Sequence, residues 1–396
     1  MPHTHLSFCR PYILPWLVAA TFALGTSACG GGSSAVTPTI PSPVSPNSAT
    51  PTVTTLNNNL SSPWGIAVLP SGELLITQRS GSMLRISANG ASTALISGVL
   101  PVNDNGQGGL LGLALDPDFA TAPWVYWAYS EPGSGTEAGL VGTAVARGRL
   151  VGNALLDVAV LFRQQPKTTG SGHFGARLVF ARDKTLFITL GERQKFSPAQ
   201  DLAQTLGKVV RIHRDGSIPA DNPALGTTAL PGIWSLGHRN PQGAALHPET
   251  GELWLTEHGP QGGDEINIAR AGANYGWPVK SYGCNYGDPV GNACRIGGGV
   301  HAPAFVEPLT YWVPTSVAPA GLLFYTSNLI PQWKGSLFTG SLLGQTLWRM
   351  TISPSAVLTR EPLLTTMGER FRDVAQAADG AILLLTDSGK LLRLAP

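Results

Sequence analysis

The chain has 396 residues, of which 48 are Gly and 32 are Pro, and its formal net charge is +2. A hydrophobic fraction of 43% excludes an intrinsically disordered chain. A net charge this close to zero argues against a partner bound through its phosphate backbone, so no nucleic-acid partner is expected. The many Gly and Pro residues indicate frequent turns and therefore many short strands.

The first 28 residues have the pattern of a secretory signal peptide. Arg10 gives a thin positive region, an apolar run follows at 13–24, and small residues at 26–28 precede Cys29. This arrangement resembles a lipoprotein cleavage site, so Cys29 is predicted to be lipidated and to provide the only membrane attachment. The alternative is an ordinary signal-peptidase site with a soluble product. Both interpretations predict a periplasmic or cell-surface protein.

Gly, Ser, Thr and Pro dominate residues 29–54. This composition is typical of a flexible to semi-extended tether that does not fold by itself. The sequence therefore predicts a folded domain at residues 55–396, held away from the membrane surface by the tether.

One pattern recurs from residue 61 onward: an apolar strand, a turn that contains Pro, Asp or Gly, and a second apolar strand. Apolar segments at 83–86, 209–212 and 391–394 are expected to form outer strands. Such repeats predict an all-β fold, a six-bladed β-propeller with four-stranded blades, whose loops meet at one end of a central channel. The six copies lie at residues 64–77, 112–129, 177–189, 243–256, 321–339 and 373–386.

Polar residues concentrate at 233–265, around two short apolar strands. Arg239 and Asn240 precede the first strand, and a Gly259-Pro260 turn follows the second. A guanidinium with a neighbouring amide can grip a carboxylate, and a Gly-Pro turn can present carbonyl oxygens to a hard cation such as calcium. The stretch therefore favours a cofactor seat, and the alternative is a set of ordinary turn residues between strands.

Two cysteines of the predicted domain, Cys284 and Cys294, lie ten positions apart in one loop. In an oxidising compartment a local disulfide is the simplest interpretation. A metal-binding pair is the alternative, but no second CxxC pair or nearby His completes a zinc site.

Seven short motifs occur in order along the repeats. Each is only a few residues long and is weak evidence by itself, whereas their joint occurrence in register with six repeats is specific. The motifs lie at 106–111 (GQGGLL), 173–178 (HFGARL), 191–193 (GER), 237–240 (GHRN), 257–260 (EHGP), 274–278 (NYGWP) and 370–374 (RFRDV).

With these motifs, the chain resembles the soluble glucose dehydrogenases and aldose sugar dehydrogenases, which use pyrroloquinoline quinone (PQQ). The resemblance covers about residues 55–396. It implies oxidation of an aldose at its anomeric carbon, with PQQ and calcium as cofactors. It also implies an electron acceptor, which would be a quinone or a redox protein.

The resemblance assigns the chemistry to three residues. His173 corresponds to the base that takes the hydroxyl proton, a role that suits a side chain whose pKa lies near neutrality. Glu192 is placed like the carboxylate that holds this base in one tautomer. Gln107 matches the position that touches the sugar hydroxyls. The alternatives are a surface-loop histidine and a glutamine that stabilises a turn.

PQQ carries three carboxylates, and the resemblance supplies basic and polar partners for them. Arg370 and Arg372 are two residues apart, so in an extended segment they share one face. Alternatively, one of them forms a structural salt bridge with Asp373 or Glu369. The cofactor-binding set that the resemblance implies is Arg239, Asn240, Arg370, Arg372 and Ser316.

The resemblance also implies calcium ligands. The carbonyl oxygens of Gly259 and Pro260 match the ligands beside the quinone, where a cation would polarise a quinone carbonyl. Asp264, Glu265 and Tyr275 are candidates, by position, for a second calcium site.

Leu343 stands where some members of this family place a Lys against the cofactor, a difference that predicts weaker PQQ binding. This keeps open a non-enzymatic propeller that binds a glycan or a protein partner at the cell surface, since a fold does not fix an activity. A third hypothesis is a lactonase-type hydrolase, which would need carboxylates and amides that converge on a channel metal.

Overall fold

A computed structural model describes residues 51–396, and this part of the chain is almost entirely β-structure. Its 24 strands form six four-stranded sheets arranged as the blades of a β-propeller, which confirms the predicted fold class. The predicted signal peptide, Cys29 and most of the tether lie outside the described residues. Within residues 51–396, no helix is long and apolar enough to span a membrane.

The strands are numbered in chain order. They are β1 (Thr52–Asn57), β2 (Pro63–Val68), β3 (Leu74–Gln78), β4 (Ser82–Ile86), β5 (Thr93–Ile96), β6 (Leu110–Leu115), β7 (Trp124–Pro132), β8 (Val141–Val151), β9 (Ala154–Arg163), β10 (Leu178–Phe180), β11 (Leu186–Thr189), β12 (Lys208–Ile212), β13 (Ile233–Leu236), β14 (Pro241–Leu246), β15 (Leu253–Glu257), β16 (Asp264–Ala269), β17 (Thr310–Trp312), β18 (Pro319–Phe324), β19 (Leu337–Ser341), β20 (Leu347–Ser353), β21 (Ala356–Leu363), β22 (Phe371–Gln376), β23 (Ile382–Thr386) and β24 (Leu391–Ala395). Short 3₁₀ segments occur at Gly135–Glu137, Ser197–Gln200, Asn292–Cys294, Ile296–Gly298 and Pro331–Trp333.

The ring is closed by the first strand of the described chain. Blades one to five are β2–β5, β6–β9, β10–β13, β14–β17 and β18–β21, whereas the sixth combines β22, β23 and β24 with β1. β1 pairs with β24 in antiparallel register, with Val53 opposite Leu394. Residues 52–54 therefore belong to the folded domain and not to the tether, because their β-branched side chains suit a strand.

The segments predicted to be outer strands are third strands, so that part of the prediction is wrong. β4, β12 and β24 contain these segments, and β5, β13 and β1 lie outside them in their blades. The outermost strands β1 and β5 carry many exposed side chains and show little apolar patterning, which is why the repeat pattern did not reveal them.

Adjacent innermost strands approach closely around the central channel. A Cβ atom on Gly112 of β6 would lie 1.9 Å from the carbonyl oxygen of Ala176 in the next blade, so only Gly fits there. On opposite sides of the ring, Arg177 and Asp373 form a buried ion pair with Nη1 and Oδ2 2.7 Å apart. This ion pair therefore links two opposite blades across the ring.

Candidate active site

A cavity of about 500 Å³ opens at the end of the ring where the loops before the innermost strands meet. The loops before β6, β10 and β14 bring Gln107, His173 and Arg239 to its wall. Residues far apart in the sequence therefore share one concave site, as is usual for ligand pockets. The lining residues are Gln107, His173, Arg239, His258, Gly259, Pro260, Gln261, Gly262, Asp264, Tyr286, Val290, Pro314, Thr315, Ser316, Ala318 and Leu343.

His173 and Glu192 form a buried pair at this wall. Nδ1 of His173 lies 2.6 Å from Oε1 of Glu192, whose side chain is 0% exposed. Oε2 of Glu192 accepts the backbone N–H groups of Lys195 and Phe196. Because a carboxylate only accepts hydrogen bonds, we assign the imidazole proton to Nδ1. Nε2 of His173 then has a free lone pair with which to take a proton from a ligand in the cavity.

Gln107 ties its own loop to the loop of His173. Its Oε1 accepts the backbone N–H of His173 at 2.8 Å, and its own backbone N–H donates to the carbonyl of Ser171 at 2.7 Å. The two loops are thus joined by reciprocal hydrogen bonds. The side-chain amide of Gln107 consequently lies beside the imidazole at the cavity wall.

Burial lowers the pKa of His173 below its usual value. The hydrogen bond to Glu192 opposes this shift, and the charges of Arg239 and Arg193 add to it. The imidazole is therefore neutral at neutral pH, which is the state that a general base requires.

Arg239 lines the cavity, and only two of its five guanidinium N–H groups have a hydrogen-bond partner among residues 51–396. Its Nη1 donates to the carbonyl of His258 at 3.2 Å and its Nη2 to the hydroxyl of Tyr286 at 3.4 Å. Its Nε is buried and has no hydrogen-bond partner among residues 51–396. The Nη groups of this cavity-lining residue retain free N–H donors, and a carboxylate of PQQ is the kind of anion that can accept hydrogen bonds from them.

Asn240 lies behind the cavity wall and not in contact with the cavity, which differs from the expectation that it binds the cofactor. Its Oδ1 accepts the N–H of Gly175 at 3.1 Å and its Nδ2 donates to Nδ1 of His258 at 3.3 Å. Nε2 of His258 donates to the carbonyl of Pro319 at 2.9 Å. Burial, with the charge of Arg239, lowers the pKa of His258 to about 3, so this ring is a neutral wall residue. The sequence motif contained His258 but suggested no role for it.

Arg370 and Arg372 share one partner, Asp387. Their Nε atoms lie 2.8 Å from its Oδ2 and Oδ1. The alternatives Asp373 and Glu369 are paired elsewhere, with Arg177 and Lys390. Sequence reasoning missed Asp387, although an acidic residue in the turn after β23 was an available signal. Arg370 Nη1 also donates to the carbonyl of Leu342, 3.1 Å away, and neither arginine is among the residues that line the cavity.

The Gly259-Pro260 turn lines the cavity and is held from both sides. Oδ1 of Asp264 accepts the N–H of Gly259 at 2.8 Å, and the hydroxyl of Ser316 donates to the carbonyl of Pro260 at 3.2 Å. Ser316 also accepts the N–H of Gly262 at 3.0 Å. The turn is therefore a fixed feature of the wall, and its carbonyl oxygens are the kind of ligand that calcium takes.

The three candidates for a second calcium site do not form one ligand set. Asp264 lines the main cavity, and its Oδ2 accepts the N–H groups of Val317 and Ala318. Glu265 and Tyr275 line a separate, narrow cavity. Burial raises the pKa of Asp264 to about 6 and that of Glu265 well above its usual value. Across residues 51–396, no three His, Cys, Asp or Glu side chains are grouped to hold a metal ion.

A disulfide shapes one side of the cavity mouth. Cys284 and Cys294 are joined, and the loop between them carries Tyr286 and Val290, which both line the cavity. Leu343 lines it from the loop after β19 and is 58% exposed. Val290 and Leu343 thus contribute apolar surface to a cavity that His173 and Arg239 line with polar groups.

Comparisons with known proteins show what the chain is similar to. Residues 60–393 match the family model described as glucose/sorbosone dehydrogenase. The chain is 42% identical over 354 residues to the aldose sugar dehydrogenase YliI of Escherichia coli (strain K12), covering 88% of this chain and 94% of that protein. A crystal structure of glucose dehydrogenase is 43% identical, with a TM-score of 0.82, and covers 87% of this chain and 100% of its own. The PQQ-bound aldose sugar dehydrogenase of Streptomyces coelicolor is 28% identical, with a TM-score of 0.69, and covers 88% of this chain and 98% of its own.

Proposed function

The chain belongs to the glucose/sorbosone dehydrogenase family, and from this premise we propose that it oxidises aldoses at the anomeric carbon to lactones, with PQQ and calcium as cofactors. The observation that carries the proposal is the pair of His173 and Glu192 at the wall of the cavity that Arg239 also lines. His173 can take a proton there, and Arg239 can hold an anionic cofactor.

In this proposal Nε2 of His173 takes the proton of the anomeric hydroxyl while Glu192 keeps the other ring nitrogen protonated. PQQ, when bound, supplies the acceptor for the hydride released from the same carbon. Loss of one proton and one hydride converts the cyclic hemiacetal to a lactone. Gln107, beside the imidazole, can both donate to and accept from the sugar hydroxyls. An external quinone or redox protein then receives the two electrons.

Several residues are suited to hold the cofactors. Arg239 would pair with a PQQ carboxylate through the free N–H groups of its Nη atoms. Arg370 and Arg372, held in place by Asp387, would face further carboxylates from the neighbouring edge. The carbonyl oxygens of the Gly259-Pro260 turn would ligate calcium. We also propose lipid anchoring at Cys29 in the periplasm or at the cell surface.

Reconstitution tests the proposal directly. Purified apoprotein is titrated with PQQ, with and without calcium, while cofactor absorbance is followed, and dye reduction is then measured with a panel of aldoses. We expect saturable PQQ binding that calcium strengthens, followed by aldose-dependent dye reduction. Absence of both PQQ binding and turnover would overturn the proposal and favour a non-enzymatic propeller.

Substituting Arg239 with Gln should weaken PQQ binding by about 10- to 100-fold, because a charge-assisted hydrogen bond contributes roughly 1.5–3 kcal/mol. The dissociation constant from the absorbance titration is the measurement. Arg85→Gln serves as the control, since Arg85 bonds Glu73 and is not among the cavity-lining residues. Equal affinities of the two variants would contradict a cofactor-binding role for Arg239.

The initial rate at subsaturating aldose should rise with pH and then level off. The acidic limb reports deprotonation of His173, whose pKa burial lowers, so its midpoint should lie below the usual 6.5. Because the neutral ring is the active form, activity is lost as the pH falls through that value. A rate that declines steadily from acidic to neutral pH would exclude His173 as the base.

A further inference from the structure

Arg193 is a fully buried arginine whose guanidinium bonds three backbone carbonyls. Its Nε donates to Gly172 at 2.9 Å, its Nη1 to Val141 at 2.7 Å and its Nη2 to Gly170 at 2.6 Å. The guanidinium carbon lies 3.8 Å from the centre of the Phe174 ring. Two of these acceptors belong to the short loop at residues 170–173, which ends at the catalytic base.

The backbone of that loop has an unfavourable conformation that contacts from outside the loop must stabilise. His173 has a φ of +50°, a conformation that residues other than Gly rarely adopt. Its carbonyl oxygen accepts the N–H of Arg193 at 3.3 Å and packs against Gly191, where a Cβ atom would lie only 2.2 Å away. Contacts from outside the loop must therefore keep the imidazole in place.

We propose that Arg193 is a positioning residue for the general base: its guanidinium clamps the 170–173 loop so that Nε2 of His173 faces the cavity. This inference rests on the proposed function, because the rate of proton removal by His173 is what the clamp controls. Arg193 lies within the Gly191-Glu192-Arg193 motif, to which sequence reasoning gave a role only at Glu192. The contacts of Arg193 give the motif a second role, which is to hold the loop that carries His173.

The geometry requires a guanidinium and not merely a positive charge. The three donors point along different directions of a rigid planar fork and reach carbonyls of three residues. A Lys at this position keeps the charge, but its single nitrogen cannot occupy the three separate donor positions from which the guanidinium reaches these carbonyls. Arg193→Lys therefore tests the loss of the three hydrogen bonds while the positive charge is retained.

The positive charge of Arg193 is expected to affect the pH dependence of the rate. The charged or titratable groups that act on His173 are Glu192, Arg239, Arg193 and His258. Since the charge of Arg193 lowers the pKa of His173, Arg193→Met should move the acidic limb of the rate profile to higher pH. Arg193→Lys should leave the position of this limb unchanged.

The test compares PQQ-reconstituted wild type, Arg193→Lys and Arg193→Met with the control Arg211→Lys. Arg211 is also buried, lies 5.3 Å from the centre of the Trp234 ring and donates from Nε to the hydroxyl of Thr185 at 2.9 Å. It is not among the residues that line the cavity. The readouts are kcat, KM for the aldose, the pH profile and the unfolding temperature.

We expect Arg193→Lys to lower kcat by about 10- to 100-fold with KM for the aldose changed only a few-fold, because a small misplacement of a reacting group is costly. Arg193→Met should lose more activity and shift the acidic limb. Arg211→Lys should lower the unfolding temperature but keep kcat near that of wild type.

Equal kcat values for folded Arg193→Lys and Arg211→Lys would overturn the inference while leaving the proposed function intact. If Arg193→Met does not fold, Arg193→Lys carries the comparison. Failure of both variants to fold would reduce Arg193 to a stability residue and overturn its positioning role. A wild type without turnover would instead overturn the proposed function, and the inference with it.

Discussion

Replacing His173 with Asn is expected to lower kcat by about 10²- to 10⁴-fold while the propeller stays folded. The substitution removes Nε2 of His173, which is the ring nitrogen left free to take a proton because Nδ1 is paired with Glu192. Asn tolerates a positive φ better than most residues, so the loop backbone at +50° can be kept. Its backbone N–H can still donate to Gln107. Dye reduction at saturating aldose with PQQ-loaded protein measures the effect.

His213→Asn is the matched control for this substitution. His213 follows β12 in a turn at the opposite end of the ring and is exposed. Cofactor absorbance and thermal unfolding must show that both variants load PQQ and remain folded. A His173→Asn variant that keeps kcat within a few-fold of wild type would refute the assignment of the base.

The sequence predicted the propeller because its inner strands repeat one local pattern. Strands such as β2 and β3 are buried on both faces between neighbouring blades, and they are therefore rich in apolar residues. β1 shows no such apolar pattern in the sequence, because it lies at the outer edge of its blade and pairs with β24 at the other end of the chain. Its place depends on ring closure, which is a property of the whole fold.

The site was predictable where one residue faces the cavity from a distinctive motif, as for His173 and Arg239. It was not predictable where a side chain acts through a partner distant in sequence. Asp387 is identified only when the fold places it against Arg370 and Arg372. An acidic residue in a turn is visible in the sequence, but the residues it pairs with are set by the three-dimensional arrangement of the loops.

Substituting Glu192 with Gln should reduce kcat by about 10²- to 10⁴-fold, although the change is nearly isosteric. Oε2 of Glu192 accepts two backbone N–H groups, so the Gln carbonyl will occupy that side. The Gln amide then donates to Nδ1 of His173 and forces the imidazole proton onto Nε2. The base loses its lone pair toward the cavity, because the wrong tautomer faces the sugar. Steady-state kinetics with PQQ-loaded protein provide the measurement.

Glu257→Gln is a close chemical match that separates tautomer control from simple loss of a buried charge. Oε2 of Glu257 lies 2.9 Å from Nδ1 of the buried His238, and its other oxygen accepts the backbone N–H of Arg239. His238 is not among the cavity-lining residues. Glu257→Gln should therefore lower stability and weaken PQQ binding more than it lowers kcat. If both variants lose kcat equally at full PQQ occupancy, Glu192 does not act by setting the tautomer of His173.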